Sequence, residues 1–151
     1  MLHGALNLDG TLSVVKVEKT LTGLKYIDVL KEHVLPQIRA KNQPGIFFQH
    51  DNAPCHQAKV VKEFMINEDL ECLSWPPHSP DLSLIEHAWK MLKDLVYSAL
   101  TVKNKESLWQ AILSAVDIFN LTKANTINKM RQNLTDRYLN VLINKGEIFK
   151  S

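Results

Sequence analysis

A chain of 151 residues matches the roughly 150 residues of one domain and leaves little room for a second core. Its 45% apolar and 23% charged residues, with only 5 Gly and 6 Pro, exclude the disordered and collagen-like classes. The formal net charge of +2 is too small to declare a polyanion binder by itself.

No apolar run approaches the roughly 18 to 20 residues of a membrane-spanning helix, so no membrane partner is expected. Residues 1–10 show no leader-type pattern. Two cysteines, Cys55 and Cys72, fall short of a disulfide framework. Together these lead to the expectation of a soluble intracellular chain with reduced thiols. The charge is uneven: from Asn120 onward Lys123, Lys129, Arg131, Arg137, Lys145 and Lys150 face only Asp136 and Glu147, a local +4. Such a cluster suits either a solvated helix face or contact with nucleic acid.

In chain order, Leu2–Leu8 and Leu12–Val17 predict two antiparallel strands joined through Asp9-Gly10, a turn-forming pair. From Thr22 the period changes to helical, with Leu24, Ile27, Val29, Leu30, Val34, Leu35 and Ile38 as the apolar stripe and Pro36 as a kink point. Ile46–Gln49 predicts a buried strand running into His50-Asp51-Asn52. A helix is expected after Pro54 through Ala58, Val61, Phe64 and Met65, then a strand over Leu70–Trp75 that Pro76-Pro77 stops. Ser79-Pro80-Asp81 starts a further helix with Leu82, Ile85, Trp89, Leu92 and Val96 inward. Two more helices follow, over about Glu106–Phe119 and about Thr126–Asn144, the second with a break near Asn133.

Two carboxylates stand out. Asp51 ends a predicted strand beside a turn, and Glu86 lies about 40° from Leu82 and about 60° from Trp89 around its helix, at the border of the apolar stripe and so half buried. Carboxylate oxygens in such places hold Mg²⁺ or Mn²⁺ for phosphodiester chemistry. They equally suit a turn cap at Asp51 and a helix-dipole partner at Glu86, and spacing alone favours that structural role. Cys55, His56, Cys72 and His78 lack the paired short spacings of a zinc site. Cys55 and His56 are adjacent, so on a helix they would diverge by about 100° and not face each other as nucleophile and base. Trp75, Trp89 and Trp109 are in phase with apolar neighbours and read as core.

The runs Phe48-Gln49-His50-Asp51-Asn52-Ala53-Pro54-Cys55-His56 and Trp75-Pro76-Pro77-His78-Ser79-Pro80-Asp81-Leu82-Ser83-Leu84-Ile85-Glu86 strongly resemble the Tc1/mariner transposases. The 34 residues between Asp51 and Glu86 resemble the spacing of the second and third acids in the Tc1-like branch. Met1-Leu2-His3-Gly4-Ala5 is similar to the segment entering the family's third strand, and Asn133–Gly146 to its last helices. The resemblance implies an RNase H-like α/β fold, here lacking the first strand: a mixed sheet flanked by helices over residues 1–100, with C-terminal helices over 101–151. It implies Asp51 and Glu86 as catalytic metal ligands, with two Mg²⁺ or Mn²⁺ ions in a complete family site and binding weakened or lost here. Asn52, His56 and Ser79 would position the loops around them. DNA and a second copy of the chain are the implied partners, and the nucleus the implied location.

Two departures matter. The family's first catalytic Asp precedes the stretch matched here, and neither Asp9 nor Asp28 stands in a matching motif, so the chain alone is expected to be inactive and, with strand edges left unpaired, unstable or self-associating. Ser83-Leu84 stands where the family usually has Asn-Pro, which loosens the presentation of Glu86. The competing reading is a non-catalytic nucleic-acid- or protein-binding module working through Lys129, Arg131 and Arg137. An unrelated metal-dependent nuclease would need a further carboxylate for which no candidate is found.

Overall fold

A computed structural model describes residues 1–41, 46–74, 83–98, 102–134 and 143. The predicted hairpin is present as β1 (Leu2–Leu6) and β2 (Leu12–Lys16). Its loop is closed by hydrogen bonds from Asn7 N–H to Thr11 O (2.8 Å) and from Gly10 N–H to Asn7 O (2.9 Å). Gly10 sits at φ +85°, a conformation that costs a side chain dearly, and a Cβ there would stand 2.2 Å from the carbonyl oxygen of Ala124. Asp9 Oδ1 accepts from both the backbone N–H and the hydroxyl of Thr11 and finishes the turn.

The chain divides into two compact units. The first comprises Met1–His3 and Val15–His78. Its long helical stretch is α1 (Gly23–Val29), a π-helical segment (Leu30–Val34) and α2 (Leu35–Lys41), opened by Thr22, whose side chain accepts from the N–H of Lys25. The helix does not end at Pro36. Instead Leu35 N–H reaches back to Leu30 O in a widened turn, which accommodates a residue that has no N–H to give and whose ring crowds the preceding turn. The buried stripe is Tyr26, Val29, Leu30, Val34 and Leu35, whereas Leu24 is exposed. Four of the expected stripe positions are thus buried and Ile27 and Ile38 partly so; the departure is at the start, where Tyr26 rather than Leu24 faces inward.

Helix α3 (Lys59–Asn67) packs on α1 and buries Val61 and Met65. It begins later than expected, because residues 53–57 form a turn in which the N–H groups of His56 and Gln57 both donate to Ala53 O. The two expected strands, Ile46–Gln49 and Leu70–Trp75, reduce to one parallel bridge between Phe48 and Cys72 among the described residues. Phe48 N–H donates to Glu71 O and Leu73 N–H to Phe48 O, both at 2.8 Å. Phe47 is exposed rather than buried. Trp75 and the two prolines lie outside the described residues.

The second unit comprises Gly4–Val14 and Ser79–Ser151. Helices α4 (Leu84–Ser98), α5 (Lys105–Thr122) and α6 (Ala124–Gln132) pack on one another around Leu12, Ala88, Leu92, Ala115, Phe119 and Ile127. A capping box starts α5: Asn104 Oδ1 accepts from Ser107 N–H while Ser107 Oγ accepts from Asn104 N–H. Helix α6 ends at Asn133, at the predicted break. The side chain of Asn120 brackets the backbone of Leu12, accepting from its N–H at 2.7 Å and donating to its carbonyl at 3.0 Å. Trp89 is half buried against this core and lies so close to Gly4 that a Cβ there would meet its ring at 2.4 Å.

Candidate functional site

Asp51 follows the Phe48–Cys72 bridge by three residues, and its side chain turns the chain toward α3. Ala53 N–H donates to Asp51 Oδ1 at 2.9 Å, the cap that short acidic side chains make two residues on. His56 Nδ1 lies 2.7 Å from the same Oδ1 and 3.2 Å from the backbone oxygen of Asp51. An imidazole nitrogen facing two oxygens must carry its proton there, so Nδ1–H is the donor. Both contacts fall on Oδ1; Oδ2 receives none from the described residues. The Asp51 side chain is 72% exposed and that of His56 11%.

Beneath this turn lies a cluster of rings. Tyr26 is completely buried, and its hydroxyl is 3.0 Å from His50 Nδ1. Its ring centroid is 4.1 Å from that of His56. His50 and His56 stack at 5.0 Å with planes 8° apart, and His3 approaches Tyr26 at 5.5 Å. Burial pushes His50 down to about 4, with the neighbouring His56 adding to it and Asp51 opposing it. His3 is also held below its ordinary value, first by burial and then by His56 and His33. Burial raises Tyr26, with smaller contributions from Cys72, Cys55 and Asp51, so the phenol keeps its proton. Burial likewise raises the Cys72 thiol, whose sulfur is 3.8 Å from His50 Nε2. One arrangement satisfies all of these groups: Tyr26 O–H donates to His50 Nδ1, and His50 Nε2–H points to the Cys72 sulfur.

The other expected site residues are distributed as follows. Asn52 Oδ1 accepts from Gln57 Nε2 at 3.1 Å, which braces the turn after Asp51. Glu86 belongs to the second unit, in the first turn of α4, where its N–H donates to Ser83 O. It is exposed, not half buried. The buried stripe of α4 is centred on Ala88 and Leu92, from which Glu86 is about 160° and about 120° around the helix. Lys129 and Arg131 are exposed in the last turn of α6, where cations suit the helix dipole. Ser79 and Arg137 lie outside the described residues. No group of three His, Cys, Asp or Glu near enough to share a metal occurs among the described residues.

Tyr26, His50 and His3 were missed in the sequence. Tyr26, Leu30 and Val34 repeat at a spacing of four and carried the signal for a buried tyrosine, but the leucine and isoleucine positions dominated the stripe.

The family profile described as DDE superfamily endonuclease matches residues 1–109, and the chain belongs to that family. Within it the relatives are Tc1/mariner transposases. The chain is 26% identical over 147 residues to the Tc3 transposable-element transposase of Caenorhabditis elegans, covering 97% of this chain and 44% of that protein. It is 31% identical over 109 residues to the Tcb2 transposase of Caenorhabditis briggsae, covering 68% of this chain and 40% of that one. It therefore spans about two fifths of the length of these relatives. Among solved structures, the Mos1 transposase catalytic domain with raltegravir and Mg superposes with a TM-score of 0.74 at 17% identity, over 99% of this chain and 76% of that one. The Mos1 mariner paired-end complex with Mn gives a TM-score of 0.75 at 22% identity, over 99% and 44%. This likeness shows the fold, which is RNase H-like and mixed α/β.

Proposed function

We propose that this chain carries part of a catalytic centre for DNA strand cleavage and transfer in cut-and-paste transposition, with Asp51 and Glu86 as ligands of divalent Mg²⁺ or Mn²⁺. The presentation of Asp51 supports this reading: the turn and His56 engage Oδ1, while Oδ2, on an exposed side chain, receives no contact from the described residues. A carboxylate oxygen so placed fits a hard divalent cation. When bound, such ions activate an oxygen nucleophile and stabilise the leaving oxygen of a phosphodiester. The contribution of this chain is to hold Asp51 still through Ala53 N–H and to carry Glu86 on the first turn of α4. Asn52, His56 and Ser79 position the surrounding loops. DNA and a second copy of the chain are the partners of this reading, and the nucleus its location.

The first acid of the family pattern has no matching motif in residues 1–151, so the isolated chain is inactive in this reading. Incubation of supercoiled plasmid with the chain and Mn²⁺ is expected to give no nicking; nicking that Asp51→Asn abolishes would overturn the inactivity. Mn²⁺ titration of the chain is expected to show binding that Asp51→Asn weakens, and unchanged binding would remove Asp51 as a ligand.

A second reading is favoured by the exposure of Lys129 and Arg131 on α6: a retained DNA-binding module, to which Arg137 would also contribute. Binding would be indifferent to sequence and to Asp51→Asn. Each neutralisation, such as Lys129→Gln, is expected to weaken it and reduce the salt slope by about 1.

A further inference from the structure

The Asp51 carboxylate is exposed, yet the ring that steadies it is not. His56 is nearly enclosed, with one face against Tyr26 at 4.1 Å and His50 stacked at 5.0 Å. Tyr26 meets both imidazoles, one through its ring and the other through its hydroxyl. It comes from α1, some 25 residues before the acidic motif, and it has no exposed surface with which to touch substrate or metal. A buried phenol whose hydroxyl fixes the tautomer of one imidazole and whose ring supports a second is a device for orientation. Packing alone would be served as well by Phe or Leu.

We propose that Tyr26 is a positioning residue for Asp51: it holds His50 in one tautomer and His56 in one ring orientation, so that His56 Nδ1–H stays on the Asp51 oxygens and Oδ2 is left free for a divalent cation. The inference rests on Asp51 being a metal ligand. The hydrogen-bonded supports of a metal ligand commonly contribute about 10- to 100-fold in affinity. Tyr26 acts at one further remove, so about a tenfold effect is expected.

The test uses the whole 151-residue chain, ¹⁵N-labelled, and its Tyr26→Phe variant, which keeps the ring and removes the hydroxyl. In the parent chain, imidazole ¹⁵N–¹H spectra should show His50 protonated at Nε2 only and His56 protonated at Nδ1 with a slowly exchanging proton. In Tyr26→Phe, His50 should populate both tautomers, the His56 Nδ1–H signal should broaden, and the Kd for Mn²⁺ should rise about tenfold. Unchanged imidazole spectra and an unchanged Kd would overturn the proposal. His50→Asn guards against a misfolded variant, since the amide oxygen can still accept from Tyr26 but cannot stack. It should retain the parental Tm and still release His56, and a retained sharp Nδ1–H signal would count against the proposal. Asp51→Asn separates the two claims. If Mn²⁺ binding survives it unchanged, the ligand role of Asp51 is lost, whereas the imidazole spectra decide in either case whether Tyr26 holds the His56–Asp51 contact.

Discussion

Around Phe119 the second unit is held by hydrocarbon: Leu12, Ala88, Leu92, Ala115 and Ile127 close on the ring from the β2 strand and three helices. Around Tyr26 the first unit places a phenol and three imidazoles in contact, next to the thiol of Cys72. Hydrocarbon packing is non-directional and indifferent to protonation, so it gives stability but little orientation. A buried set of polar rings is stable only when each donor finds an acceptor, and that requirement fixes where every atom points. The region carrying the acidic motif is the one built in the second way.

The comparison is broken most severely at Phe119. Phe119→Ala should cost about 3–5 kcal/mol in urea unfolding, as loss of a fully buried aromatic ring leaves a cavity; a cost near zero would mean that the core is centred elsewhere. Next is Asn120→Ala, which strips both partners from the backbone of Leu12 and should cost about 1–3 kcal/mol by the same measurement.

Acid should separate the two regions. His3 and His50 are both held below the ordinary histidine value of 6.5, His50 to about 4, so below pH 6.5 the unfolded chain binds protons that the folded chain refuses. Their contribution is fully present above that pH and is lost as pH falls toward about 4. Tm measured from pH 7.5 down to 4.5 should decline along this window, and His50→Asn should flatten the decline; an equal decline in the variant would remove His50 as its source. The smallest effect is expected at Glu86, exposed on α4: Glu86→Gln should change stability by no more than about 0.5 kcal/mol. A larger loss would give that carboxylate a structural task.

How much of this was legible in the sequence depended on whether the decisive residue was a local one. Gly10 announced the hairpin because a residue without a Cβ takes a positive φ without strain, and the break at Asn133 was visible as a polar interruption in an apolar period. The late start of α3 was hidden, since it follows from Asp51 and Ala53 drawing residues 53–57 into a turn of their own. Ile46–Gln49 has a strand's composition but pairs through one residue among those described, and pairing depends on neighbours that composition does not report. Glu86 was misplaced by judging the stripe from Leu82 and Trp89; the small Ala88 marks its centre. Of the candidate site, the acidic motif and His56 could be read directly. The ring cluster under them could not, because Tyr26 reaches it from a helix distant in sequence.

The amide of Asn120 has one more consequence. The bonds Val17–Met1 and Asn7–Thr11 set the hairpin register so that Leu12 stands opposite Leu6 with its own N–H and C=O pointing away from β1. Those outward groups are what an incoming strand of another molecule would grip in extending the sheet. Asn120 already occupies both, as a one-residue imitation of a neighbouring strand that offers no further backbone to continue the ladder. At Leu12 the outer margin of the hairpin is thus sealed against cross-β growth by a single side chain.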